Sequence, residues 1–201
     1  MRTLLIASTN QGKIKEINTY FQKLNFNIKG LDDFPQIGDI EEDGNSFKEN
    51  ALKKARVSSK TTGLLTLADD SGLVVDYLDG APGIYSARYA GEDVSDKENN
   101  NKLLKELKGV SKEERTAYFK CVMALVFPDK NKEYTFEGIC SGLITKEPRG
   151  KHGFGYDPLF FVPEYEKTMA QLSPEIKNQI SHRAKALKKV KNFFEDHNFD
   201  A

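Results

Sequence analysis

Two short apolar runs constrain this chain more than any other feature: Leu4-Leu5-Ile6-Ala7, and Leu64 to Ala68. Each has the length of a buried strand, and each ends abruptly in polar residues. The first stops at Ser8-Thr9-Asn10-Gln11-Gly12-Lys13, after which Ile14, Ile17, Phe21 and Leu24 recur at helical spacing. Ahead of the second, Ser46-Phe47-Lys48-Glu49 reads as a capping box. Phe47, Ala51, Leu52, Ala55 and Val57 give the helix that follows an apolar side, and Gly63 ends it. Strand, helix, helix, strand in this order predicts an α/β protein.

The remaining segments fit that class. Leu73 to Tyr77 is predicted to be a further strand, separated from Leu64–Ala68 by a turn at Asp69-Asp70-Ser71-Gly72. Asp96 to Leu107 reads as a helix. Arg115 to Phe127 and Tyr134 to Ile144 read as a long antiparallel hairpin, with Pro128 to Asn131 as its turn. Pro148 to Pro158 is a glycine-rich loop. Ser173-Pro174-Glu175 is a helix start with proline in the first helical position, and helix continues to about His197. No internal repeat is present, so the expectation is one domain over residues 1–201 built on a mixed sheet.

Composition narrows the function. Lys+Arg and Asp+Glu are both 30, a formal net charge of zero, whereas a duplex-binding domain usually carries a clear basic excess. Any anion site must therefore be local, and no nucleic-acid partner is expected. Cys121 and Cys140 are the only cysteines, each inside a predicted strand, which suits reduced core thiols. No zinc pattern joins them to His152, His182 and His197. No stretch reaches the length of a membrane span, and the N-terminal apolar run is too short for a signal peptide. The expected location is the cytoplasm.

Four features carry chemistry. Asp69 and Asp70 stand where a buried strand ends, the place where ligands bind in α/β sheets. Adjacent carboxylates there repel unless a cation is near. Glu41-Glu42-Asp43 is a second acidic group, and hard oxygen ligands of this kind suit Mg²⁺; taken on its own, a solvated loop before a helix N-terminus is the favoured reading. Asp70-Ser71-Gly72 also matches the aspartic-protease triplet, but those enzymes need two carboxylates sharing a proton, and the helices fit an all-β protease poorly. Ser8 to Lys13 forms a strand-to-helix turn with free N–H groups for phosphate, without P-loop spacing.

Gly153-Phe154-Gly155-Tyr156-Asp157-Pro158 places an aromatic ring between glycines, either a platform for a base or a ring tucked onto the surface. In the C-terminal helix, Ile176, Ile180, Ala184, Leu187, Val190 and Phe194 form an apolar stripe. If that helix is continuous, Arg183 lies within the stripe and needs an anionic partner, while His182 lies outside it. If Ser181 starts a new helix, His182 and Arg183 stand at its beginning. Lys185, Lys188, Lys189 and Lys191 read as a solvated basic face.

Together these pieces resemble the inosine triphosphate pyrophosphatase family, also called dITP/XTP pyrophosphatases. The resemblance rests on Ser8-Thr9-Asn10 with Gly12-Lys13, Phe47 with Glu49-Asn50-Ala51 and Lys54-Ala55, and Ala68 to Gly72. It continues through Gly80 to Tyr89, Phe154 to Pro158 and Ser181-His182-Arg183-Ala184. Ser8 stands where Thr is common in the family and keeps the hydroxyl.

The resemblance implies a curved mixed β-sheet with flanking helices, two lobes around a central cleft, and a homodimer. It implies Mg²⁺-dependent hydrolysis of non-canonical purine triphosphates (ITP, dITP, XTP) to monophosphate and pyrophosphate. Asp70 matches the catalytic carboxylate and a metal ligand, and Glu41 the second metal position, with Glu42 and Asp69 as neighbours able to share it. Ser8, Thr9, Asn10, Gln11, Gly12 and Lys13 match phosphate contacts. Ser71, Phe154, Gly155, Tyr156, Asp157, Lys177, His182 and Arg183 match other substrate contacts. Donors such as Lys177 and His182 would suit a 6-oxo purine and meet adenine's 6-amino group badly. A non-catalytic nucleotide sensor would need the base contacts without Asp70. A nucleic-acid binder would rely on the basic C-terminal helix, with binding that falls steeply as salt rises.

Overall fold

The computed structural model describes residues 2–21, 26–128 and 132–197. Leu24 and residues 129–131, the expected tip of the hairpin, lie outside them. The strands are β1 (Arg2–Ile6), β2 (Phe26–Gly30), β3 (Leu65–Val75), β4 (Thr116–Phe127), β5 (Lys132–Ile144), β6 (Phe160–Val162) and β7 (Lys167–Thr168). The helices are α1 (Gln11–Phe21), α2 (Phe47–Thr62), α3 (Asp96–Glu106), α4 (Pro174–Ile180) and α5 (His182–Asp196). The strands form one seven-stranded sheet in the order β2-β1-β3-β4-β5-β6-β7. β1 runs parallel to both β2 and β3, whereas β5, β6 and β7 pair antiparallel. The sheet is mixed, as expected for an α/β chain.

Local chemistry explains the helix limits. The Ser46 hydroxyl accepts from Glu49 N and opens α2. Glu49 turns back to Asn45 N rather than to Ser46 N, so the box closes one residue earlier than its usual form. Gly63 adopts the left-handed conformation that ends α2, which costs glycine little. Asn10 Oδ1 accepts from Lys13 N at 3.1 Å and caps α1. Ser173 caps α4, with Pro174 as its first residue. Ser181 separates α4 from α5, so the second of the two readings of the C-terminal stripe holds.

One expectation is corrected. Residues 64–68 and 73–77 are not two strands around a turn: β3 runs unbroken from Leu65 to Val75, through Asp69 and Asp70. Side chains on a strand alternate between faces, so neighbouring carboxylates are carried apart and each finds its own partners without a turn.

The chain divides into two compact units. The first comprises Met1–Asp70, Cys121–Gly138 and Arg183–Ala201, the second Ser71–Lys120 and Ile139–His182. Each has its own core. In the first, Leu4, Ile6, Ile17, Phe21, Leu67, Met123, Leu187 and Phe194 are buried together. In the second, Leu73, Leu103, Leu107, Phe119, Leu159 and Phe160 are. Among the described residues no helix is long and apolar enough to cross a membrane.

Candidate active site

In the first unit, β3, α1, α2 and α5 bring charges together out of water. Asp69 is 1% exposed. Lys13 Nζ lies 3.1 Å from its Oδ2 and Arg183 Nε 3.4 Å. Arg183 is itself buried, and its Nη1 donates to Glu16 Oε2 at 2.6 Å. Burial alone would raise the Asp69 pKa, but Lys13, Arg183 and Lys54 outweigh it and hold the carboxyl below the usual range. Burial likewise opposes the charge on Arg183, and Asp69 and Glu16 help to keep it on.

Asp70 behaves differently. Its Oδ2 accepts from Asn50 Nδ2 at 3.1 Å, and the same Asn50 accepts from Gly44 N at 2.8 Å. This fixes the acidic loop against the start of α2. Burial raises the Asp70 pKa to about 6, with Lys54 opposing and the negative charge of Glu42 adding to the rise. Lys54 Nζ sits 2.9 Å from Glu42 Oε1. Its own pKa is raised because Asp69, Glu42 and Asp70 outweigh its desolvation. So adjacent residues on one strand differ in kind: the surrounding cations hold the Asp69 carboxyl below the usual range, and burial raises that of Asp70 to about 6.

Of the residues expected in a metal site, Asp70 is buried and Glu41 is exposed, while Glu42 is the acidic-loop carboxylate whose charge reaches Asp70. Among the described residues no group of three His, Cys, Asp or Glu side chains is arranged to hold a metal. The Ser8–Lys13 turn leads into α1. Asn10 is engaged in capping, Ser8 Oγ accepts from Asn10 N at 3.2 Å, Lys13 pairs with Asp69, and Thr9 and Gln11 are exposed.

In the second unit Lys177 joins the expected residues of the glycine-rich loop, Phe154, Gly155, Tyr156 and Asp157, while His182 packs on β4. Asp157 Oδ2 accepts from Phe154 N at 3.1 Å and from Lys177 Nζ at 2.7 Å. The Lys177 ammonium stands 4.9 Å from the centre of the Phe154 ring, within cation–π range. Gly153 has φ +81°, and a Cβ there would collide with the Asp157 carboxylate, so only glycine fits. Tyr156 is buried, and its hydroxyl donates to Ser86 O at 2.8 Å, which makes it an anchor. The His182 ring stacks on Phe119 with centroids 4.8 Å apart and planes 18° apart. His182 and Arg183 open α5 and are both buried; only the continuous-helix reading put His182 outside the stripe. Ser71 follows Asp70 on β3 and is half-buried.

Glu16, Glu42, Asn50 and Lys54 were not in the expected contact set, or stood there only as neighbours or motif residues. Asn50 and Lys54 did carry a signal. They fall at helical spacing among Phe47, Ala51 and Ala55, so two polar groups lie on a buried stripe.

A buried carboxylate with a raised pKa beside buried cations marks a candidate functional site. A model of the Ham1 family matches residues 4–193. The chain is 55% identical over 192 residues to a dITP/XTP pyrophosphatase of Geobacter sulfurreducens, covering 96% of each. It is 51% identical over 190 residues to a dITP/XTP pyrophosphatase of Bacillus licheniformis, covering 94% of this chain and 96% of the relative. Among solved structures, the Staphylococcus aureus Ham1 protein is similar at 44% identity and TM-score 0.89, over 98% of this chain and 100% of that one. A HAM1 protein from Coxiella burnetii is similar at 41% identity and TM-score 0.91, with the same coverage. The chain belongs to the Ham1 family.

Proposed function

We propose that this chain hydrolyses non-canonical purine nucleoside triphosphates, XTP, dITP and ITP, to the monophosphate and pyrophosphate, clearing them from the nucleotide pool. The observation that carries the reading is Asp70, a buried carboxylate with its pKa raised to about 6 in a setting of Asn50, Glu42 and Lys54. A general base works best when its pKa lies near the working pH. Water attacks the α-phosphorus, the bond to the bridging oxygen breaks, and pyrophosphate leaves. Asp70 orients the water and takes its proton. Lys13 and the N–H groups opening α1 meet the phosphate oxygens.

Asp70 with an acidic-loop carboxylate, Glu41 or Glu42, fits Mg²⁺: the donors are hard oxygens, and one or two carboxylates completed by waters and substrate phosphates suffice for this ion. Of the two, Glu42 is supported by its electrostatic reach to Asp70. When bound, Mg²⁺ would neutralise charge building up on the phosphate oxygens. Phe154 provides the face for the base, and Lys177 and His182 the donors for a 6-oxo group. A site built on such bonds rejects adenine because its buried donors go unmet. The reading treats residues 1–201 as one catalytic domain, with a curved sheet and two lobes around a cleft, acting as a cytoplasmic homodimer.

The deciding experiment is a pyrophosphate-release assay with Mg²⁺ on XTP, dITP, ITP, GTP and ATP. The expected outcome is turnover of XTP, dITP and ITP far above ATP, which lacks the 6-oxo group, with GTP showing whether the site also reads C2. Equal rates on ATP would defeat the assignment.

A further inference from the structure

We propose that Asp96 and Asn100 of α3 are positioning residues for base recognition, acting by clamping Gly155 at its amide and its carbonyl. The proposal rests on the assignment of Phe154 and Lys177 to the base.

Gly155 N donates to Asp96 Oδ2 at 2.6 Å, and Gly155 O accepts from Asn100 Nδ2 at 2.9 Å. The two side chains lie four residues apart on one helix face, so a single rigid element grips both sides of one residue. That residue has φ +59° and sits between Phe154 and Tyr156 in a loop whose Gly150 and Gly153 are also left-handed. Left-handed glycines have many alternatives nearby, so the loop needs outside bonds to hold one shape. Tyr156 is held through Ser86, and Phe154 N through Asp157. The clamp fixes the backbone between them and with it the Cα from which the Phe154 side chain starts.

Ordinary helix chemistry does not account for these side chains. Asp96 suits a helix N-terminus, but Ser95 and Glu98 already cap α3 reciprocally. Asn99, Asn100 and Asn101 are three weak helix formers in succession. Asn99 grips Ala90 N and Ala87 O. The Asn100 amide nitrogen donates to both Asp96 O and Gly155 O. Its oxygen is buried with no hydrogen-bond partner among the described residues. A side chain that leaves an acceptor unmet is present for its donors.

The test measures kcat and KM for XTP and ATP, together with hydrogen exchange along the chain, in Asp96→Ala, Asp96→Asn, Asn100→Asp and Lys177→Ala. Asp96→Ala and Asn100→Asp should raise KM for XTP about tenfold, the effect of losing a hydrogen bond to a charged or opposed group. Saturated kcat should stay near wild type, the XTP/ATP preference should shrink, and exchange should quicken in residues 152–157 only. Asp96→Asn keeps an acceptor oxygen and should restore KM. If KM and the preference hold in Asp96→Ala and Asn100→Asp while Lys177→Ala moves them, the clamp is wrong and the base assignment stands. If both variants quicken exchange throughout residues 71–120 and 139–182, the side chains hold the whole unit rather than the loop, which also overturns the clamp. If Lys177→Ala leaves the preference unmoved, the base assignment falls and takes the clamp with it.

Discussion

The carboxylate set of the first unit and the glycine-rich loop of the second are built by opposite means. Around Asp69 and Asp70 the parts are regular, a strand interior and helix faces, and the forces are between charges removed from water. Around Phe154 the backbone is irregular, and it is held by bonds to backbone groups from Asp157, Asp96, Asn100 and Tyr156. On the roles proposed above, the contrast follows from the two tasks. Chemistry on a phosphate needs charges fixed before the reaction starts. Recognition of a flat ring needs a shape that regular elements do not supply, and loops on a rigid scaffold do.

Substitutions can break this contrast. The largest effect belongs to Asp70→Asn, which keeps shape but cannot take a proton: kcat should fall by about 10²–10⁴ while calorimetry still detects ITP binding. Normal turnover in that variant would remove Asp70 from its role. Next comes Arg183→Met, which leaves Asp69 and Glu16 without their shared cation. Urea unfolding should show a loss of about 3–5 kcal/mol, as when one partner of a buried ion pair is removed. Smallest for the fold is Gly153→Ala. Its left-handed backbone and the Asp157 carboxylate oppose a Cβ, at a local cost of about 1–3 kcal/mol. A thermal melt should fall by less than that of Arg183→Met while KM for XTP rises. A melt lowered as far as that of Arg183→Met would show the loop to be structural after all, and the contrast would fail.

Much of this was legible in the residues. The apolar runs marked β1 and the start of β3, the Ser46, Gly63 and Ser173-Pro174 signals marked helix ends, and the resemblance pointed to Asp70. What stayed hidden was long-range. Ser-Gly after two aspartates imitates a turn, whereas β3 runs on through them to Val75 as an interior strand of the sheet. Glu16 carried no signal, because its partner lies 167 positions away. Glu41 and Glu42 cannot be ranked by pattern, since the choice depends on where Lys54 and Asn50 place the loop. Asp96 and Asn100 were hidden because a side chain that binds a distant backbone leaves no periodic trace.

The pairing of Asp69 with Arg183 also bears on the order in which the protein is made. The two are 114 residues apart in the chain. A ribosome that has delivered Asp69 must add all of that length before the countercharge arrives on α5. Lys13 is on hand early, but Glu16 and Asp69 wait for the same late arginine, and a chain released before α5 is made lacks the charge that balances both.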